Sequence, residues 1–322
     1  MKRKLGTVLR IAISLGLLAF LIYRNKSNFS NMLGAIRDLN IYYLVAALVF
    51  YFIAISFIVF RWGILLKAHG YYISGLFLWQ TALIGFFYNN LLPTSVGGDF
   101  YRVYDLKQNK SVPVNEGIAS VVMERIIGTF TSFTLLVISY FLGLFGYLSK
   151  NAALGLLISI LVIMLFFMVL FMPGIFRINV LLKKYRIFSR IRPRLKEFHE
   201  ILISYRYKIK YLLISYLFSI IIQVFFLISY NSISMALGLE LKFHIFIFVI
   251  PFVALASSVP ITIGGIGIRE NALVFAIASF GISQGRAILF SLMLLAIILI
   301  IGMMGGIIYL FKNILHRSKG II

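Results

Sequence analysis

Six ionisable side chains stand in stretches otherwise too apolar for water: Asp99, Arg102, Glu124, Arg125, Arg269 and Glu270. A charge at the centre of a lipid-facing helix costs at least about 2.5–3.5 kcal/mol, so such groups pair with one another or face a polar cavity. Arg binds phosphate through two parallel hydrogen bonds, and a neighbouring carboxylate can hold the guanidinium until an anion displaces it. The chemistry these residue types suit is anion binding through exchangeable ion pairs. The plainer alternative is that pairs such as Arg102–Glu124 and Arg269–Glu270 only lock helices together. The chain has no cysteine, and its four histidines, His69, His199, His244 and His316, are scattered and form no ligand pair. Structural disulfides and thiolate metal sites are therefore excluded, and we expect no metal, no cofactor and no catalytic residue.

Two of the arginines close the same pattern. Pro93-Thr94-Ser95-Val96-Gly97-Gly98-Asp99-Phe100-Tyr101-Arg102 returns as Pro260-Ile261-Thr262-Ile263-Gly264-Gly265-Ile266-Gly267-Ile268-Arg269. Both read Pro-x-(Ser/Thr)-(Val/Ile)-Gly-Gly-x-x-x-Arg. Such a repeat implies two related halves. In a membrane protein, glycine-interrupted segments at matching places point to a transport site. Proline ends an incoming helical limb because it lacks an N–H and restricts the residue before it. The glycine pair lets the chain turn and approach another group closely. The outgoing limb then starts a helix whose free N–H groups suit an anion, with Ser95 or Thr262 beside them. Arg102 and Arg269 are expected one turn into those helices. Asn89, Asn90 and Gln223 either add polar lining or make helix contacts.

The elements that must carry these groups follow from composition. The chain is 61% hydrophobic and 12% charged, with a mean hydropathy of +1.02, which makes it a polytopic, all-α membrane protein. Its net charge of +22 lies mostly in loops between apolar runs. It reads as a topology signal with affinity for anionic lipid, and not as a nucleic-acid footprint. Apolar runs long enough to span lie at about 5–23, 41–60, 117–147, 151–172, 211–236 and 287–311. The first is read as an uncleaved span because no small-x-small cleavage site follows it.

Two further runs, 70–108 and 245–283, are broken by the repeated motif. The segment 177–210 holds eleven Lys or Arg and is placed in the cytoplasm. Counting outward from it puts both termini inside, with Arg61 and Lys67 at a cytoplasmic end and Lys107 on the same side. The run between them must then enter and leave by one face. The same count makes 245–283 a hairpin entering from outside. The expected architecture is an inverted-topology repeat of about six spans and two re-entrant hairpins, residues 1–148 forming one half and 149–322 the other. Arg24, Lys26 and Arg37 fall in a loop this count places outside, against the rule.

Other patterns carry less. Gly265-Ile266-Gly267 resembles part of a dinucleotide fingerprint, but Glu270 stands where the third glycine belongs and no strand-helix-strand unit surrounds it. Gly302-Met303-Met304-Gly305-Gly306 reads as close helix packing within the monomer, or a dimer contact. Lys183 to Lys210 is either an interfacial amphipathic segment or a solvated loop that fixes topology.

Taken together, Asn90-Leu91-Leu92-Pro93, Gly97-Gly98-Asp99, Arg102, Glu124-Arg125, Pro260, Gly264-Gly265-Ile266-Gly267 and Arg269-Glu270 resemble the flippase-like lysylphosphatidylglycerol synthase transmembrane-region family. The resemblance covers nearly the whole chain. Larger members, the multiple peptide resistance factors, join such a region to a cytosolic domain that attaches amino acids to phosphatidylglycerol. Their membrane region is thought to move the product to the outer leaflet, and stand-alone members are linked to envelope lipids or lipid-linked sugars. Ending at Ile322, the chain leaves no room for that domain, so a synthase activity is not expected of it. A separate lipid-synthesising enzyme is a possible partner.

The resemblance and the residues together imply a cell-membrane transporter, not an enzyme. Its substrate would be an anionic phosphate-bearing lipid, either a phospholipid or a polyprenyl-phosphate glycolipid. The expected site lies between the hairpin tips: Asn90, Ser95, Gly97, Gly98, Asp99, Arg102, Glu124, Arg125, Thr262, Gly264, Gly265, Arg269 and Glu270. An integral membrane lipid-modifying enzyme, a small-solute transporter and a purely structural partner protein are the alternatives. A metal between the tips would favour the enzyme.

Overall fold

A computed structural model describes residues 37–91, 97–148, 200–257 and 267–319, with a few isolated positions besides. Every regular element among the described residues is helical. In chain order these are α1 (Ile41–Lys67), α2 (Gly75–Leu91), α3 (Gly97–Lys110), α4 (Val114–Phe141), α5 (Ile209–Ala236), α6 (Phe246–Ser257), α7 (Ile268–Ala278) and α8 (Gln284–Lys319). Four are long and apolar enough to cross a membrane: α1, α4, α5 and residues Gln284–Lys312 of α8. They correspond to the runs at 41–60, 117–147, 211–236 and 287–311. The expected spans 5–23 and 151–172, and most of the basic segment 177–210, lie outside the described residues.

The two motif-bearing runs are each a pair of short helices. Residues 70–108 give α2 and α3, of 17 and 14 residues, and 245–283 give α6 and α7, of 12 and 11. At about 1.5 Å per residue none of these four reaches across a hydrocarbon core of about 30 Å.

The core of the bundle is the pair α1 and α5. The Asn40 N–H donates to Ala236 O (3.0 Å), Ser229 Oγ to Ala47 O (2.8 Å) and Arg61 Nη1 to Ser219 Oγ (2.7 Å). These contacts pair low numbers with high ones along the whole length, so the helices run antiparallel. Asn40 also caps α1, its side chain accepting from the Tyr42 N–H at 3.1 Å.

Around this pair α2 packs on α8 and α6 packs on α4. Each short helix packs on its sequence neighbour, α2 on α3 and α6 on α7, and then α3 on α4 and α7 on α8. Exchanging α1 with α5, α2 with α6, α3 with α7 and α4 with α8 leaves this pattern of packed neighbours unchanged.

Glycines bring two of these interfaces down to backbone contact. A Cβ on Gly98 would lie 2.0 Å from Gly85 O, joining α3 to α2, and one on Gly305 would lie 1.9 Å from Leu83 O, joining α8 to α2. Gly302 and Gly306 face Asn90 and Phe87 in the same seam. The 302–306 run is thus a packing stripe inside the monomer, the first of its two expected readings.

Candidate functional site

α3 begins on the glycine pair of the first motif. Its Gly98 N–H is taken by Asn89 Oδ1 at 2.7 Å, and Asp99 lies in its first turn, where the helix dipole favours a carboxylate. Arg102 follows just past that turn. Its Nη2 meets Glu124 Oε2 on α4 at 2.5 Å, and its Nη1 lies 3.5 Å from Asp99 Oδ1. Its guanidinium also stacks 3.9 Å over the Trp62 ring, whose N–H is anchored on Ser120 Oγ at 3.1 Å. Arg125 grips Asp99 Oδ2 from the other side with Nη2 and Nε, at 2.5 and 2.7 Å.

A third arginine completes the cluster. By its sequence Arg61 marks a cytoplasmic helix end. In the structure α1 runs on to Lys67, and Arg61 lies inside it, 7% exposed, with Nη2 3.2 Å from Glu124 Oε1. Glu124 therefore bridges two arginines, one from α1 and one from α3.

Arg61, Asp99, Arg102 and Glu124 are all buried, whereas the Arg125 side chain is half exposed. Among the described residues three guanidinium groups, those of Arg61, Arg102 and Arg125, meet the two carboxylates of Asp99 and Glu124. The Nε atoms of Arg61 and Arg102 are buried with no hydrogen-bond partner among the described residues. Buried polar groups are ordinarily satisfied, so these two N–H groups mark unused binding capacity. The signal that could have found Arg61 is its setting: Ile58-Val59-Phe60 before it and Trp62 after it continue the helix past the charge.

The second motif builds a smaller cluster. Gly267 precedes α7 with φ +90, a conformation that glycine adopts without a Cβ penalty. Its N–H donates to Glu270 Oε2 (2.5 Å), and its carbonyl accepts from Asn271 Nδ2 (2.7 Å). Arg269 Nε donates to Glu270 Oε1 at 2.9 Å, and Nη2 lies 2.7 Å from the same oxygen. Nη2 is close enough for ion pairing, but its angle does not complete a hydrogen bond. Arg269 interacts electrostatically with Tyr51 on α1 and Tyr230 on α5. Tyr51 and Arg61 are ten positions apart on α1, about 15 Å of helical rise.

Of the expected site residues, the structure brings together Gly97, Gly98, Asp99, Arg102, Glu124 and Arg125, and separately Arg269 and Glu270. Asn90 turns to α8, donating to Ile298 O at 3.2 Å, which is the helix-contact role. Ser95, Thr262, Gly264 and Gly265 lie outside the described residues. No group of three His, Cys, Asp or Glu that could hold a metal occurs among the described residues.

A further ionic site was not anticipated. Asp105, one turn beyond Arg102 on α3, is buried and receives Lys312 Nζ of α8 on both oxygens at 2.8 Å. Thr81 Oγ1 (2.5 Å) and Asn109 Nδ2 (2.7 Å) complete its shell. Every oxygen is accounted for, and it ties α2, α3 and α8 together.

At the Lys67 end of α1, His69 Nδ1 lies 3.0 Å from Glu116 Oε2, and the ring packs 4.4 Å from Tyr205. The carboxylate favours the charged ring. Burial, and after it the Lys208 ammonium, outweigh that and lower His69 to about 4.

Comparison with known proteins points to membrane proteins. Residues 7–306 match the family described as lysylphosphatidylglycerol synthase TM region. Among curated proteins, a UPF0104 membrane protein of Methanocaldococcus jannaschii is 29% identical over 139 residues, covering 42% of this chain and 40% of the relative. A second from the same organism is 25% identical, over 59% of this chain and 78% of its own length. One from Methanothermobacter thermautotrophicus is 23% identical over 77% of this chain and 79% of its own. No solved structure matches the chain.

Proposed function

This chain belongs to the lysylphosphatidylglycerol synthase TM region family, and on that premise we propose that it moves an anionic, phosphate-bearing lipid between the leaflets of the membrane. The observation that carries the reading is the buried pair Arg61 and Arg102, which share Glu124 and each keep a buried Nε with no hydrogen-bond partner among the described residues. A cluster built only to lock helices would be expected to use its donors, because a buried unsatisfied donor is costly. Two idle N–H groups on paired arginines suit a phosphate that arrives from outside.

In this reading the phosphate moves stepwise. The half-exposed Arg125 meets the headgroup first. The phosphate then competes with Asp99 and Glu124 for Arg102 and Arg61, whose forked donors fit its oxygens. The second cluster, Arg269 with Glu270 beside Tyr51 and Tyr230, serves as a second station further along α1. The headgroup is therefore passed between two levels instead of being held by both arginines at once. The neighbour pattern that survives exchange of α1–α4 with α5–α8 supports an inverted repeat, and α2–α3 and α6–α7 are its re-entrant hairpins. Rocking one half against the other about the α1–α5 pair exposes the stations alternately.

The test is leaflet exchange of a fluorescent phosphatidylglycerol in liposomes holding the purified chain, with wild type set against Arg102→Ala and Arg269→Ala. Loss of a charge-assisted bond worth about 1.5–3 kcal/mol predicts exchange roughly tenfold or more slower in each. Arg102→Lys, which keeps charge but not the fork, falls between. Exchange that both alanine variants leave untouched would remove the site from the motif. No exchange of any lipid by the wild type would end the transport reading.

A further inference from the structure

A second feature lies on another face of α1 and takes no part in the charged clusters. Phe57, Phe60 and Ile64 of α1, with Phe218 of α5, line a groove of about 730 Å³. That volume falls within the ~300–1,000 Å³ typical of ligand sites. The lining is apolar along α1 and changes character at one end, where it meets Lys67, Tyr71, Tyr72 and Ser74.

Phe57 closes the other end, its ring 5.7 Å from Phe218 and 5.4 Å from Phe225. Between Phe57 and Lys67 the helix rises about 15 Å. That equals half of a hydrocarbon core of about 30 Å, the depth of a single leaflet. Among the described lining residues the one charged group is a cation at the rim, Lys67, its Nζ 5.3 Å from the Tyr72 ring centroid. Tyr72 is 77% exposed, as suits an aromatic at the headgroup level. A floor one leaflet deep, apolar throughout and ending in a lysine beside a tyrosine, complements one kind of molecule.

We propose that this groove is a binding site for one anionic phospholipid of the leaflet at the Lys67 end. An acyl chain lies along Phe57, Phe60 and Ile64, and the phosphate sits against Lys67. Zwitterionic lipid has the same chains but no net charge to complement the lysine, so selectivity resides in Lys67 alone. Gly63 lies in the floor. A Cβ there meets only the tip of the Leu78 side chain, at 3.0 Å, so a larger residue enters the groove without striking backbone.

The experiment uses the full chain in vesicles doped with a photoreactive-acyl phosphatidylglycerol or the matching phosphatidylcholine, with adducts mapped by mass spectrometry. The expected result is labelling of residues 57–74 that is several-fold stronger from phosphatidylglycerol. Lys67→Gln lowers it to the phosphatidylcholine level, and Gly63→Phe removes labelling by both. Equal labelling by the two lipids, with no effect of Lys67→Gln, overturns the site and leaves ordinary boundary lipid. Labelling that persists in a folded Gly63→Phe, or no labelling of 57–74 at all, overturns it as well. If Gly63→Phe fails to fold, the Lys67→Gln comparison decides alone.

Discussion

The two motif clusters share a sequence pattern and differ in reach. The first draws on α1, α3 and α4, so that Glu124 holds arginines from two other helices at once. The second centres on one helix start, with Arg269 and Glu270 adjacent in sequence, and its link to other helices is the electrostatic contact of Arg269 with Tyr51 and Tyr230. The first joins three helices, and the second caps one helix start. A repeated motif has thus been put to two uses: a cross-helix junction, and a local cap that holds its own arginine. Both helix starts are already occupied by side-chain oxygens, Asn89 in one and Glu270 in the other, so an incoming phosphate must displace a resident group.

The comparison breaks most sharply at the carboxylates. Glu124→Ala leaves two buried arginines without their shared partner and should cost about 3–5 kcal/mol. Glu270→Ala strands one arginine and one backbone N–H, for about 1–3 kcal/mol. Thermal unfolding of both variants in detergent measures the gap, and equal losses would erase the distinction drawn here.

Next in size is Gly98→Ala. The added methyl meets the backbone of α2 and should cost about 1–3 kcal/mol or more, as overpacking does. The cost should appear as a lower unfolding midpoint, and exchange should slow with it because Arg102 shifts with α3. A stable, fully active Gly98→Ala would show that the α2–α3 contact does not position the arginine.

Arg125→Ala sharpens the comparison without breaking the fold. Its side chain is half exposed, so the unfolding midpoint should move less than it does in Glu124→Ala. If Arg125 makes the first contact with the headgroup, the exchange rate should fall and its salt dependence flatten. A rate that tracks wild type at every ionic strength would take Arg125 out of the pathway.

The smallest effect concerns His69. Its folded value of about 4 lies below the ordinary value near 6.5, so the unfolded chain takes up the proton first as pH falls. Its contribution to stability is complete above about pH 6.5 and is lost as pH drops toward 4. The groups that face it are Glu116, Lys208 and Tyr205. His69→Asn should flatten the fall of the unfolding midpoint across that window. Superimposable profiles would assign the acid sensitivity to another group.

Much of this was legible in the sequence because apolar run length and paired charge are strong signals. The four described spans lie where the hydropathy put them, and the pairs Arg102–Glu124 and Arg269–Glu270 were both anticipated. Arg61 was missed because a charge after an apolar run reads as the end of the span. Only the position of Glu124 on another helix makes burial of Arg61 affordable. The shell of Asp105 was missed for a similar reason: Thr81, Asn109 and Lys312 are far apart in sequence and share no pattern. Ring stacking of Arg102 on Trp62 likewise has no counterpart in a one-dimensional string.

The glycine seams have a mechanical consequence. α2 touches α3 through Gly85 and Gly98, and α8 through Gly305, with backbone against backbone on both sides. Side-chain layers absorb small displacements by changing rotamer, and at these backbone contacts no such layer intervenes. A push on α8 is therefore transmitted directly across α2 to α3. At that junction the stem of Arg102 approaches within 3.3 Å of where a Gly85 Cβ would stand. α8 and the Arg102 guanidinium are opposite ends of one stiff lever.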